Sequence, residues 1–289
     1  MNVLESTDSM LPWSITTPMG EQLSTTLPKV SRSFEEFIAV DIWSGDSDPV
    51  YWAVVGAARE FGHGWATRFC VGMLAYYHTG TAAQAADYEG GEFWNHLGRI
   101  YPTAPRGSER RHFRGVAGWE ALQAMRSWSP DPVNFFDFPS TYKGVKSNCE
   151  RYLNQFGPYF QLKICDYMDR CLGIPVLTYD GLARNLPTEP ARAVKLMYPD
   201  VSHEYGFNAL CERVNLLGLK AAPMFDRPVG PAEVETSLCG WKTTKYKGNW
   251  MGADILDKRN ALQGYGEKAQ MMISMMPPLV PKGTFLADL

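Results

Sequence analysis

Lys163 and Asp166 stand three residues apart, and Arg170 follows one turn on; a helix through this stretch would stack all three on one face. An amine, an acid and a guanidinium side by side suit chemistry on a phosphorylated nucleotide. The acid can take a proton, and the cations can hold developing negative charge. Other cations come in two bunches. Arg106, Arg110, Arg111, His112 and Arg114 fall within nine residues, and Lys242, Lys245 and Lys247 within six. Arginine suits phosphate because its planar fork of donors never loses its charge at neutral pH. Gly115 and Gly118 follow the first bunch and allow close backbone approach. The second bunch sits in CGWKTTKYKGNWMGAD, residues 239–254, whose one acid is Asp254. Such a segment reads as a loop that closes on a phosphate or a substrate. The plainer alternatives are a helical hairpin with solvated polar residues and an exposed basic loop.

These groups need a frame, and the pattern over 151–180 supplies one. Arg151–Gln155 reads as the end of a helix, and Phe156-Gly157-Pro158 as a tight turn. Gly157 is expected to take a backbone conformation closed to other residues, with Pro158 presetting the next helix. Phe160, Leu162, Ile164, Tyr167, Met168 and Leu172 then recur at helical spacing until Gly173 and Pro175 stop the run. The first amides of that second helix lack internal partners, so the bend is a natural seat for an anion.

Elsewhere the spacing also predicts helices. Phe34, Phe37 and Ile38 share a face, and Asp48-Pro49 reads as a helix start. Two helices are expected over 50–79, a short one capped by Thr81, and further ones over 119–128, 190–197, 203–217 and 255–275, the last broken near Gly264 and Gly266. Trp65 and Tyr76 fall on apolar stripes that read as core, with base stacking the rarer use. Residues 1–30 read as an irregular arm, 31–276 as a helical catalytic domain with its hairpin at 151–172, and 277–289 as a tail. Strand-like alternation is scarce, so a mostly α fold is expected.

The 289 residues are 45% hydrophobic and 20% charged, enough for a substantial core. No apolar run approaches the ~18 residues of a membrane span, and the amino terminus lacks the pattern of a signal peptide, so a cytoplasmic protein without membrane contact is expected. Six scattered cysteines form no CxxC pair, so neither a zinc site nor a disulfide framework is indicated, and all six read as buried reduced thiols. A net charge of -3 argues against bulk electrostatic coating of nucleic acid, though not against a local basic groove. Walker-type, GxSxG and HExxH motifs are missing.

The hairpin FGPYFQLKICDYMDR resembles the helix-hairpin-helix region of DNA glycosylase-like proteins. It departs at Gln155, where such hairpins often carry glycine. More narrowly, ERRHFRGVAG, GPYFQLKICDYMDR and LCGWKTTKYKGNWMGAD, in this order, resemble phage amino acid:DNA transferases, grouped with the α-glutamyl/putrescinyl thymine pyrophosphorylases; the likeness spans residues 48–265. It implies a helical glycosylase-related fold acting on double-stranded phage DNA in the infected host. The implied substrate is 5-hydroxymethyluracil already pyrophosphorylated, whose pyrophosphate is displaced by a free amino acid or other amine. No cofactor is implied, and a divalent metal is left open.

Under that reading each group has an expected part. Arg110, Arg111 and Arg114, with Lys242 and Lys245 behind them, stabilise the leaving pyrophosphate, and Gly157 opens the anion seat. Asp166 is the general base, with Asp254 as the alternative. Lys163 keeps Asp166 ionised or binds phosphate, His112 relays a proton or is structural, and Tyr159 stacks on the displaced base. A base-excising glycosylase and a non-catalytic DNA-binding protein are the rival readings.

Overall fold

The computed structural model describes residues 33–221, 227–247 and 252–279, and for 244–247 the backbone alone. The expected arm over 1–30, and all of the tail beyond 279, lie outside the described residues. The described chain is helical. In order come α1 (Phe34–Ser44), α2 (Pro49–Phe61), α3 (His63–Tyr76), α4 (Thr79–Ala86), α5 (Gly90–Ile100), α6 (Gly115–Trp128), α7 (Tyr142–Tyr152), α8 (Pro158–Asp166), α9 (Thr188–Met197), α10 (His203–Asn215), α11 (Pro231–Lys247), α12 (Ala253–Leu262) and α13 (Glu267–Met275). Two isolated bridges, Thr141–Thr178 and Lys220–Pro228, are the only β pairing among the described residues.

Local signals explain many of the boundaries. Ser33 and Glu36 close a capping box at the start of α1. Pro49 opens α2, where its missing N–H is harmless. The next short helix begins earlier than expected: His78, rather than Thr81, is its N-cap, and the imidazole accepts from the Thr81 amide. α3 is buried on almost all sides and packs against α2, α4 and α8, so it forms the centre of the core. Trp65 and Tyr76 lie within it, their polar tips donating to Asp87 and to the Leu97 carbonyl. They are core residues and present no face to a base.

The hairpin is α7, a turn and α8, with the first helix starting at Tyr142. The left-handed residue of the turn is Gln155, at φ 62, and not Gly157. Gly157 has φ -71 and ψ -175, which any residue adopts, and a Cβ built there meets nothing within 4 Å. The chain thus keeps the bend at Gln155 with a side chain where glycine would be unstrained. Beyond Asp166 the helix widens into one π-type turn, Tyr167–Cys171, closed by the Leu172 amide on the Tyr167 carbonyl at 2.9 Å. Gly173, at φ 67, ends it.

The largest correction concerns 239–254. Residues 239–247 are not a loop but the second half of α11. Polar composition suggests a loop, but packing decides otherwise. α11 lies against α1 and α9, and its Gly240 lets α1 come close: a Cβ there would sit 3.3 Å from the Phe37 ring.

Candidate active site

A cleft of about 1050 Å³ opens where the hairpin, the 108–113 turn, α1, the start of α2, α11 and the start of α12 meet. Gly157 and Pro158 line it, so the N-terminus of α8, which has no side-chain cap, faces the space. Tyr159 and Tyr77 also line it, their hydroxyls hydrogen-bonded to each other and their rings edge to face at 5.7 Å.

Arg110 is in the cleft wall, but it is not a free cation. Only 2% of it is exposed. Its Nε donates to the Leu74 carbonyl at 2.6 Å and its Nη1 to the Gln155 carbonyl at 3.0 Å. The guanidinium lies 3.4 Å from the centre of the Phe160 ring, and burial pulls its pKa down to about 9. It clamps the strained Gln155 turn to α3. The expectation that Arg110 receives the leaving group gives way to this structural duty.

Lys163 and Asp166 meet as the spacing predicts, at 2.9 Å, with Lys163 lining the cleft and Asp166 buried behind it. Asp166 is fully buried, and its Oδ2 accepts from Lys163 and, at 2.9 Å, from the Tyr51 hydroxyl. It does not line the cleft, so direct contact with an incoming amine is not what this geometry offers. Lys163 does line it, while donating also to Tyr51 at 2.8 Å and reaching Asp48 at 3.4 Å. Burial works against its charge, but Asp166 and Asp48 outweigh that and hold its pKa well above the ordinary value. Asp48 also takes Arg170 at 2.6 Å, and Arg170 passes on to Glu233 at 3.2 Å. A buried ion network therefore ties α2, the π turn and α11 beneath the cleft.

Four further carboxylates, Asp254, Asp46, Glu235 and Asp41, line the cleft. Asp254, in the first turn of α12, lines the cleft; although the residue is exposed as a whole, protein packed around its carboxyl strips hydration from it, and this first, then Asp46, pushes its pKa up to about 7. Asp46 holds the start of that helix, accepting from the Ile255 amide at 3.0 Å. Glu235 is 3% exposed, and burial raises its pKa to about 8, against the pull of Lys163. Asp41 is 2% exposed, raised by burial and then by Asp46.

Of the expected cations, Arg111 and His112 are exposed on the cleft rim. Arg114 is exposed at the start of α6 and does not line the cleft. Lys242 is tied to Glu189, which does line it. The Lys245 side chain lies outside the described residues. Lys258 was not expected: it lines the cleft 5.4 Å from the Tyr77 ring centre. Burial opposes its charge, yet Tyr77, Asp257 and Glu109 hold its pKa above the ordinary value.

Asp41, Glu235 and Lys258 are the residues that sequence reasoning missed. Asp41 carried a signal, as a lone acid in the apolar run FIAVDIW of α1. Glu235 shares a helical face with Cys239 and Thr243, visible only once 239–247 is read as helix. Cys239 is exposed on this face, contrary to the expectation of a buried thiol, and its pKa of about 12 keeps it protonated. No arrangement of three or more His, Cys, Asp or Glu able to hold a metal occurs among the described residues. Nor is any helix there long and apolar enough to cross a membrane.

Comparison with known proteins bears on this cleft. Residues 36–273 match the protein family described as "Amino acid:DNA transferase". The chain is 33% identical to the putrescinyltransferase of Delftia phage PhiW-14, over 84% of this chain and 82% of that protein. It is 27% identical to the glycinyltransferase of Pseudomonas phage PaMx11, over 85% and 96% respectively.

Proposed function

The chain belongs to the amino acid:DNA transferase family, and we propose that it displaces pyrophosphate from 5-pyrophosphoryloxymethyluracil in phage DNA with a small amine. The observation that carries the reading is one cleft shared by an uncapped helix N-terminus, an exposed arginine, Arg111, on its rim, Lys258 paired at 3.2 Å with Asp257, and a carboxylate titrating near neutrality. A leaving pyrophosphate suits the N–H groups of Gly157, Tyr159 and Phe160 at the start of α8, with Arg111, His112 and Lys258 beside it. The amine lone pair forms the new bond to the methylene carbon as the bond to oxygen breaks, and pyrophosphate departs with that electron pair. The proton lost by the amine goes to the Asp254 carboxylate, whose pKa of about 7 is matched to the task. Asp166 keeps a positioning part, fixing Lys163 and Tyr51 under the reacting atoms.

We read α7, the Gln155 turn and α8 as a helix-hairpin-helix of the glycosylase type, and residues 31–276 as one catalytic domain in the cytoplasm of the infected host. The target base leaves the duplex stack and rests against Tyr159 and Tyr77. Lys163 argues against a base-excising lyase, because a lysine held protonated by two carboxylates is a poor nucleophile.

The test is mass spectrometry of nucleosides from DNA carrying the pyrophosphorylated base, treated with protein and a mixture of amines. The expected result is an amine adduct with stoichiometric pyrophosphate. Free base with an abasic site would replace this reading with a glycosylase, and unchanged nucleosides with a binding protein.

A further inference from the structure

Tyr77 is held in a conformation that a tyrosine seldom adopts. It follows α3 at φ 51, in the left-handed region that bulky side chains avoid. Two contacts fix it there. Its amide donates to the Met73 carbonyl at 2.7 Å, and the turn at Gly107 presses against it, the Gly107 amide donating to the Tyr76 carbonyl at 3.0 Å. A Cβ at Gly107 would lie 2.2 Å from the Tyr77 carbonyl oxygen, so only glycine lets the two segments meet. Strain that the surroundings enforce in this way marks a position where the direction of a side chain matters. Here it turns Tyr77 into the lining of the cleft.

The Tyr159 hydroxyl donates to that of Tyr77, and the Phe160 ring meets both rings edge to face, at 5.8 Å from Tyr77 and 5.1 Å from Tyr159. Arg110 lies 3.4 Å from Phe160, so the pair rests on the same clamp that holds the Gln155 turn. Tyr159 thus spends its proton on Tyr77, while the Tyr77 proton has no acceptor among the described residues; both side chains are half-buried. Burial pushes the Tyr77 hydroxyl up to about 12, so it is protonated at neutral pH. Two ammonium groups flank the pair, Lys258 at 5.4 Å from the Tyr77 ring centre and Lys163 at 5.8 Å from that of Tyr159. A directed donor between two cations favours an electron-rich acceptor and disfavours an amino group.

We propose that Tyr77 reads the extruded pyrimidine: its hydroxyl donates to the 4-oxo group, and so selects a uracil over a cytosine that carries the same 5-substituent. The inference rests on the transferase reading above and assigns its base specificity to one side chain. The place of the leaving group singles out the 4-oxo group. A pyrophosphate on the first amides of α8 puts C5 of the base beside Tyr159, which supplies one of those amides, and the carbonyl next to C5 is at C4. A cytosine would turn its 4-amino hydrogens toward the Tyr77 proton, with Lys163 and Lys258 beside it.

The test is fluorescence anisotropy of the full chain with duplexes that hold one 5-hydroxymethyluracil or one 5-hydroxymethylcytosine. Each base stands opposite an abasic site, so that pairing strength does not enter. A hydrogen bond lost in a desolvated site, with its donor left unpaired, commonly amounts to roughly a tenfold to hundredfold change in affinity. The uracil duplex is therefore expected to bind at least about tenfold more tightly. Tyr77→Phe keeps the ring and should bring the two affinities within about threefold of each other, whereas Tyr159→Phe, which leaves the Tyr77 proton in place, should lower the ratio less. Equal binding by the wild type, a ratio that survives Tyr77→Phe while both affinities fall alike, or a larger effect from Tyr159→Phe would overturn the proposal. If Tyr77→Phe does not fold, judged by circular dichroism, the wild-type comparison decides. Pyrophosphate release is scored from the same two bases in pyrophosphorylated form, with a mixture of amines. Release from both at similar rates overturns the Tyr77 assignment and keeps the transferase. A binding preference erased by Tyr77→Phe, with no release from either base, keeps the assignment and overturns the transferase.

Discussion

Replacing Asp254 with Asn removes the proton acceptor and leaves the shape. The cap on α12 survives, because it is made by the Asp46 carboxylate on the Ile255 amide and not by Asp254. What is lost is general-base assistance, commonly about 10²–10⁴ in rate, or about 3–5 kcal/mol of barrier. The wild-type pH profile carries a second signature. A carboxylate titrating at about 7 is roughly one-tenth ionised at about pH 6 and nine-tenths at about pH 8. Single-turnover pyrophosphate release with saturating donor should thus rise about tenfold between those values. The donor is ammonium throughout that range, so its own titration does not produce the inflection. Asp254→Asn should be slow and show no inflection near pH 7, its residual rate climbing steadily with the small neutral fraction of the amine, with DNA affinity unchanged by fluorescence anisotropy. A variant within about threefold of wild type, or one that keeps the inflection near pH 7, would remove Asp254 from the proton transfer and leave the cleft without its assigned base.

Stability should report the other buried acid. Glu235 titrates near 8 in the folded chain and near 4.5 otherwise, so between those values the folded state holds a proton that the unfolded chain has released, and stability falls as pH rises. Glu235→Gln should therefore gain thermal stability relative to wild type at pH 8 over pH 4.5; a constant difference would show that Glu235 titrates normally. Asp48→Asn strips the shared anion from Lys163 and Arg170 and should cost about 3–5 kcal/mol in urea unfolding, whereas under about 1 kcal/mol would mean the network is slack. At the left-handed Gln155, glycine should be at least as stable as wild type and valine about 1–2 kcal/mol worse, an order that a differential scan can reverse. Arg111→Ala and Lys258→Ala should slow pyrophosphate loss more than they weaken DNA binding, while Arg114→Ala, outside the cleft, should touch binding at most; uniform loss of affinity in the first two would make them backbone contacts.

The helices were legible where a local signal marked them. Asp48-Pro49, and Gly264 with Gly266, each act within a few residues, and the boundaries fall there, whereas the Ser33–Glu36 capping box of α1 was not read from the sequence. The three family blocks were legible too, and the match over 36–273 agrees with them. What escaped was long-range. Lys163 and Asp166 announce themselves at i and i+3, but nothing in the order of residues says that Asp48 and Tyr51 will complete the pair from more than a hundred residues away. Those partners turned a presumed solvent-facing base into a buried support. Likewise KTTKYK reads as loop on composition, and only the close fit of Gly240 to Phe37 shows why the helix continues.

The burial of that network has a chemical consequence. A site that must hold a polyanion and a cation together risks having its own charges neutralise one another. Here Lys163 and Asp48 in the cleft lining, with Arg170, Asp166 and Glu233 behind them, satisfy each other, which removes them from that competition. The groups left facing the space then sort by element. Arg111 and the α8 amides stand on the hairpin side, Asp41 and Glu235 on α1 and α11, and Asp254 with Lys258 on α12. Under the proposed reaction the leaving anion has donors on one wall of the cavity, and the base stands on another, on α12. Had Asp166 stood in the wall beside Lys163, as the spacing invites, the two would have offered the substrate a neutral pair.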